Sequence, residues 1–476
     1  MKKLVSVILI IITAVSALAV PMSANAAKTS TRKSGVWKYT VSAGGAKIVK
    51  YTGKGGKVAV PSKLGGKKVT AIGNNSFLGK EKLTSVTIPK TVKTIGYSAF
   101  RECFKLKSIK LSNGLKTVSD FAFSGTGIKS VKIPNSVTKL GKYTFFCCSS
   151  MKKITLSKNI AEIPDNCFED TKLEALKIPA KCKKIGEWVL FNTEKKIKIS
   201  IGKGVKKIST RAFARDYTGL YNGSETITVS KKNKYFSSKN NALYNKKKTK
   251  LVFCAYQKER NSFRVPSSVK TIGKYAFVNY NTKLEKISLP EGLKKIDDYA
   301  FHLTGLTDLK IPSTVEYIGK SAFELTKIGS IKIPKSVKYI GKEAFSDTEA
   351  KTIEVDPNPE LVLGEKVFRR SWKLAKVTYF PVKKSAGGTF SDCQSLTDVV
   401  IPETVTRVYS GDFYNCRELA TVSVPDSVTK IDKEAFGYLN DDDEGAYRND
   451  SFTMSGGRDS AAEKYAKVNG IDFTVN

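Results

Sequence analysis

A phenylalanine returns every 22 to 24 residues along almost the whole chain. It stands at Phe77, Phe100, Phe123, Phe145, Phe168, Phe213, Phe277, Phe301, Phe323, Phe345, Phe368, Phe390, Phe413 and Phe436, with Leu190 in the slot once. A period of this length is the mark of a solenoid, in which one repeat is one coil that buries its apolar face only by stacking. The period also explains how so long a chain keeps one core: a stacked core grows in one dimension.

One unit reads Leu83-Thr84-Ser85-Val86-Thr87-Ile88-Pro89, then Val92, Ile95, Gly96, Ala99 and Phe100. Val86 and Ile88 alternate with Thr87, which predicts a short strand with one buried face. Pro89 lacks an N–H and ends it. Val92 and Ile95 predict a second inward-facing stretch, Gly96 a tight turn, and Ala99-Phe100 a plug for the corner. The same unit recurs from Ile128 to Phe145 and from Leu306 to Phe323.

Both ends read as caps. Trp37, Tyr39 and Val41 alternate up to Gly44-Gly45, and Ala46, Ile48 and Lys50 return, a hairpin pattern. Ser460 is placed to cap a helix through Ala466 that Asn469-Gly470 stops, and Ile471, Phe473 and Val475 alternate as a closing strand. Between Phe213 and Phe277 the period is broken. There Ala242-Leu243-Tyr244 and Leu251-Val252-Phe253 flank Asn245–Thr249 as a hairpin, within either two modified coils or an excursion from the rod. The resulting division is a leader at 1–26, a β cap at 27–60, coils at 61–213 and 265–436, an irregular insert at 214–264, and an acidic loop with a closing cap at 437–476.

Lys2 and Lys3, the apolar run Leu4–Val20 and the small-x-small triplet Ala24-Asn25-Ala26 predict a secretory leader cleaved near Ala27. No later apolar stretch has spanning length. The expected location is therefore secreted, with non-covalent retention at the cell surface left open. The formal charge is +39, and it is lopsided: from Ser391 onward 8 basic residues face 16 acidic ones. Such asymmetry points to a charged partner or an oriented surface.

The leader, the period near 23 and the string Leu-x-x-Val-x-Ile-Pro-x-x-Val-x-x-Ile-Gly-x-x-Ala-Phe resemble the BspA-like leucine-rich repeat family of bacterial surface proteins. Coils ending at Phe100, Phe145, Phe323, Phe345 and Phe436 carry the string most clearly. The resemblance implies a mainly β repeat solenoid with a hairpin cap at the N-terminus and a helix–strand cap at the C-terminus. It also implies adhesion or binding to host or bacterial surface proteins. The chain departs from the pattern at Gly114, Ser157 and Gly202, where the proline is missing, and in its lysine content.

Chemistry-bearing residues are sparse. Cys103, Cys148, Cys393 and Cys416 each follow a repeat phenylalanine by three residues, Cys167 replaces the small residue before Phe168, and Cys182 a coil valine. These are packing slots, so structural thiols are expected rather than a disulfide framework. His302 is the single histidine and shows no orienting partner in sequence. Gly319-Lys320-Ser321 mimics a phosphate loop, but Thr314 stands where that loop needs glycine. Asp441–Glu444 reads as a solvated acidic loop without the spacing of a calcium site. No cofactor or metal is expected.

Lysine supplies 70 of the 82 basic residues. The residue between the two inward strand positions faces solvent, and its equivalents form a row containing Lys110, Lys132, Lys177, Lys310 and Lys332, interrupted by Thr87, Thr155, Ser200, Ser288, Glu354, Thr378, Val400 and Ser423. A second line holds Lys93, Lys116, Lys183, Lys206, Lys270, Lys294 and Lys338. Such ridges suit a long polyanion, or they keep the rod soluble. Lysine is a hydrated point charge, and no exposed aromatics or base-reading arginines interleave the ridge, so no specific nucleic-acid partner is expected. Anionic cell-wall polysaccharide fits better. The reading is a non-enzymatic binding scaffold; its rivals are a self-assembling envelope protein and a secreted processing enzyme.

Overall fold

The computed structural model describes residues 30–193, 196–214, 225–255, 260–278, 283–441 and 445–476. The expected leader lies outside them. The coils stack into a β solenoid with two parallel sheets that share one core. The front sheet is built from strands such as Leu83–Thr87, Ser108–Lys110 and Ser130–Lys132. The back sheet uses two-residue strands such as Thr94–Ile95, Thr117–Val118 and Lys139–Leu140. Both run coil to coil in register: Val86 pairs Ile109 in front, and Ile95 pairs Val118 behind. The alternation that predicted the front strand therefore sets which residues face out.

The phenylalanines form the column on which everything rests. Tyr51 stacks on Phe77 at 5.0 Å, Phe77 on Phe100 at 4.7 Å, and the series runs to Phe168. A second unbroken series runs from Phe277 to Phe452. Leu190 is fully buried in the slot between them. Three residues after most of the described phenylalanines sits a small polar side chain that closes the column. Thr126, Thr171, Thr304 and Thr326 donate to the carbonyl of their own phenylalanine, at 2.7–2.9 Å. Cys103, Cys148, Cys393 and Cys416 donate instead to the carbonyl one coil earlier.

The corners have a backbone that sequence patterning did not anticipate. Around Phe145, Tyr143 and Cys147 lie in the left-handed region at φ 55° and 56°. The N–H groups of Tyr143, Phe145 and Cys147 all donate to the next coil, to Asp165, Cys167 and Glu169. The intervening Phe146 and Cys148 bond back three residues within their own coil. A left-handed side-chain residue costs about 1–2 kcal/mol; the inter-coil bonds it directs, each worth about 0.5–1.5 kcal/mol net, offset that. Gly96 is not the turn residue expected of it. A Cβ there would stand 2.8 Å from the amide nitrogen of Asn74, and one at Gly141 only 2.2 Å from that of Asp120. The repeat glycine is required by the close approach of the preceding coil.

At the N-terminus Trp37–Ser42 and Gly45–Tyr51 form an antiparallel hairpin, and the second strand joins the back sheet beside Lys67–Ile72. At the C-terminus Ser460 Oγ accepts from the Glu463 amide at the head of the helix Ala461–Asn469, and Gly470 closes it at φ 63°. Asp472–Val475 then pairs with Thr453–Gly456 as the last front strand. In the irregular stretch Glu225–Val229 continues the front sheet, while Phe236–Lys239, Ala242–Asn245 and Lys250–Cys254 form an antiparallel meander whose last strand feeds the back sheet. One expected front strand is missing. Leu309 and Ile311 are buried in their slots, yet 308–311, which would stack between Lys286–Ser288 and Ser330–Ile333, forms no ladder. Only Thr307 is bonded to both neighbours, to Glu285 and Gly329.

Candidate functional site

The front sheet turns two residues per strand outward, one on either side of each buried centre, as in the exposed–buried–exposed pattern of Ser108–Lys110 and Ala175–Lys177. The five predicted ridge lysines are all exposed, but they do not form one row. Lys110, Lys132 and Lys177 lie in the N-terminal ladder, where their paired neighbours are Thr87, Thr155 and Ser200. Lys310 lies in the segment without a front strand, beside exposed Asp308. Lys332 is paired in register with Glu354, and its ammonium stands 3.3 Å from that carboxylate and 3.9 Å from Asp356.

The other outward position completes the N-terminal group. Lys153 pairs with Ser130, and Lys198 with Ala175. Five successive coils thus present one lysine each: Lys110, Lys132, Lys153, Lys177 and Lys198, all exposed. Lys107, Lys129 and Lys152 flank them. None of these eight has a carboxylate partner among the described residues, and Glu174 is the one acid at the outward positions from Lys107 to Ser200. Register places Lys132 and Lys153, and Lys177 and Lys198, diagonally on adjacent strands rather than directly opposite, so their like charges share one face at more than the strand spacing of about 4.8 Å.

The second predicted line follows the back sheet. Lys116 donates its amide to Lys93, Lys206 to Lys183, and Lys294 to Lys270. Its charge is partly spent, since Lys294 pairs with Glu316 at 2.7 Å, and neighbouring Lys184 with Glu162. Corner carboxylates are held in the same way: Asp165 by Lys142, Asp298 by Lys274, Glu365 by Lys342, and Asp432 by Arg407. The hydrogen bonds of Lys342 and Lys366 bring the Glu365 carboxyl down to about 2.

Two polar centres escaped the sequence reading. His302 has an acidic neighbour one coil away in the same slot: its Nδ1 is 3.3 Å from Glu324 Oε2. Asp412 fills the small-residue slot before Phe413, fully buried, and accepts from Tyr379 Oη and from the amides of Thr389 and Tyr409. Polar residues in two normally apolar slots, Tyr379 for isoleucine and Asp412 for alanine, were the available signal. Of the acidic run, 442–444 lie outside the described residues. No cluster of metal-ligating side chains occurs among the described residues.

None of the eight cysteines stands in a disulfide; seven are buried and Cys147 is half-buried. Burial pushes Cys103 and Cys393 up to about 12 and Cys148 to about 11, so none is a ready nucleophile. Titration with a thiol reagent should find eight thiols in unfolded, unreduced protein and almost none reacting promptly in folded protein. A count of six or fewer after unfolding would mean that disulfides form.

Two stacked parallel sheets around a phenylalanine column define a leucine-rich repeat solenoid. The chain belongs to the BspA type leucine rich repeat family, whose model matches in six copies over residues 70–198, 250–375 and 362–441. Among solved structures it is similar to the pneumococcal vaccine antigen PcpA, at 19% identity and a TM-score of 0.50, over 94% of this chain and 99% of that one. It is also similar to a leucine rich cell surface protein from Faecalibacterium prausnitzii, at 22% identity and a TM-score of 0.44, over 88% and 96%. A leucine-rich repeat protein from Eubacterium ventriosum matches at 23% identity and a TM-score of 0.43, over 87% and 98%. These are likenesses of fold. No curated protein matches.

Proposed function

We propose that the protein is an exported binding scaffold without catalytic activity, and that the lysine face of its N-terminal coils holds a linear polyanion of the cell envelope. The observation that carries this reading is the run of five lysines on five successive coils without a carboxylate partner among the described residues. The family and the leader signature at 1–26 support an extracellular setting, and no helix among the described residues is long and apolar enough to cross a membrane. Non-covalent retention at an anionic surface follows from the same charges. Corner acids are matched to lysines and arginines of adjoining coils rather than to each other, which supports a scaffold over a carboxylate-pair hydrolase.

Lysine ammonium groups on separate coils make diffuse, additive contacts rather than a shaped pocket. Binding of the mature chain to purified Gram-positive cell walls should therefore fall steeply between about 50 and 500 mM salt, as the screening length shrinks. Sedimentation of protein with the walls across that series is the test. Retention that ignores salt would contradict the proposal.

A further inference from the structure

We infer that a cleft on the back sheet of the same coils is a binding site for one pyranose unit of a saccharide. The cleft encloses about 260 Å³ and is lined by Tyr97, Thr117, Ser119, Asp120, Lys139 and Gly141. Two features set it apart from equivalent places along the rod, and a third it shares with them.

The first is the aromatic wall. Tyr97 is 39% exposed, and its contact with Phe121 is edge-on at 5.8 Å and 67°, whereas Phe121 and Tyr143 lie face to face at 4.6 Å. The second is an unmatched pair of charges. Asp165, Asp298, Glu365 and Asp432 each bond a cation from a neighbouring coil. Asp120 has no such partner among the described residues, because Lys142 turns its ammonium to Asp165 at 2.9 Å and offers Asp120 only its backbone N–H, at 2.9 Å to Oδ1. Lys139, on the far wall, has no carboxylate partner among the described residues either, because Glu162 in the next coil pairs instead with Lys184, two coils on from Lys139. The third, shared with other coils, is the floor: a Cβ at Gly141 would collide with Asp120 at 2.2 Å, as one at Gly186 would with Asp165 at 2.4 Å.

A sugar ring meets all three demands. Its C–H face packs on an aromatic ring, and its hydroxyls both donate to a carboxylate and accept from an ammonium without adding net charge. A shallow polar cleft of one-ring size gives weak affinity, on the order of millimolar. The site lies on the sheet opposite in sequence role to the front lysine face and does not depend on it.

Saturation-transfer NMR on the mature chain, with glucose, galactose and N-acetylglucosamine as separate probes, is the test. We expect transfer to at least one sugar. Tyr97→Ala and Asp120→Asn should each weaken it by about tenfold or more, with unchanged melting, because Tyr97 is outside the core and asparagine can still accept the Lys142 N–H. Charge reversal of the front lysines should leave it unchanged. The inference is overturned if no sugar gives transfer, if both variants bind as the parent does, or if free amino acids compete as well as sugars.

Discussion

Phe323→Ala should lower the stability of the rod by about 3–5 kcal/mol, the range for deleting a fully buried aromatic. Phe323 has no exposed surface and is stacked between Phe301 at 5.2 Å and Phe345 at 5.1 Å, with planes within 9° and 8°. The walls cannot collapse into the gap, because the Phe323 amide is tied to Ala344 and the Phe301 amide to Ala322 in neighbouring coils. Phe323→Leu should cost much less, as buried Leu190 already occupies one slot. In a stacked rod the loss falls on two interfaces, so urea unfolding should also become less cooperative. A loss below about 1 kcal/mol would show that the column does not carry the fold.

Asp412→Ala should be nearly as damaging, at about 3 kcal/mol or more. It strands the Tyr379 hydroxyl and two backbone N–H groups in a dry interior. Burial raises the Asp412 carboxyl above its ordinary value, against the hydrogen bonds from Tyr379 and from the Thr389 and Tyr409 amides. A carboxyl raised in the folded state contributes stability that is complete below its unfolded value of about 3.9 and is lost as pH climbs through the folded value. The asparagine variant lacks this titration. The stability gap between parent and Asp412→Asn should therefore narrow as pH rises from about 4 toward neutrality, measured by urea unfolding at each pH. A gap that widens would mean the carboxylate form is the one the site favours.

The solenoid was legible because its signals are local. One period placed the aromatic column, alternation around Val86 gave the buried face, and Ser460 and Gly470 marked a helix before it was seen. What stayed hidden depends on neighbouring coils. The left-handed residues flanking most of the described phenylalanines aim N–H groups at the next coil, and their side chains, from Tyr143 to Glu343, share no chemistry. Gly96 looked like a turn because its real constraint, the Asn74 backbone, lies 22 residues away in sequence. The lysine ridge was read from one outward slot, whereas the face uses both. Lys153 and Lys198 therefore went unnoticed, and Glu354, read only as an interruption of the row, stands 3.3 Å from the Lys332 ammonium.

The most direct test of the binding account is the affinity of labelled long-chain polyphosphate, followed by fluorescence anisotropy against salt concentration. Two variants are compared with the parent. One reverses Lys110, Lys132, Lys153, Lys177 and Lys198 to glutamate; the other reverses the same number of exposed lysines in the C-terminal half, among them Lys332. The parent should lose affinity with a logarithmic slope of about −3.5, at about 0.7 per neutralised charge. The first variant should abolish binding and the second leave most of it. Equal losses in both variants would contradict the account, since the rod would then bind through its overall charge and not through the N-terminal face.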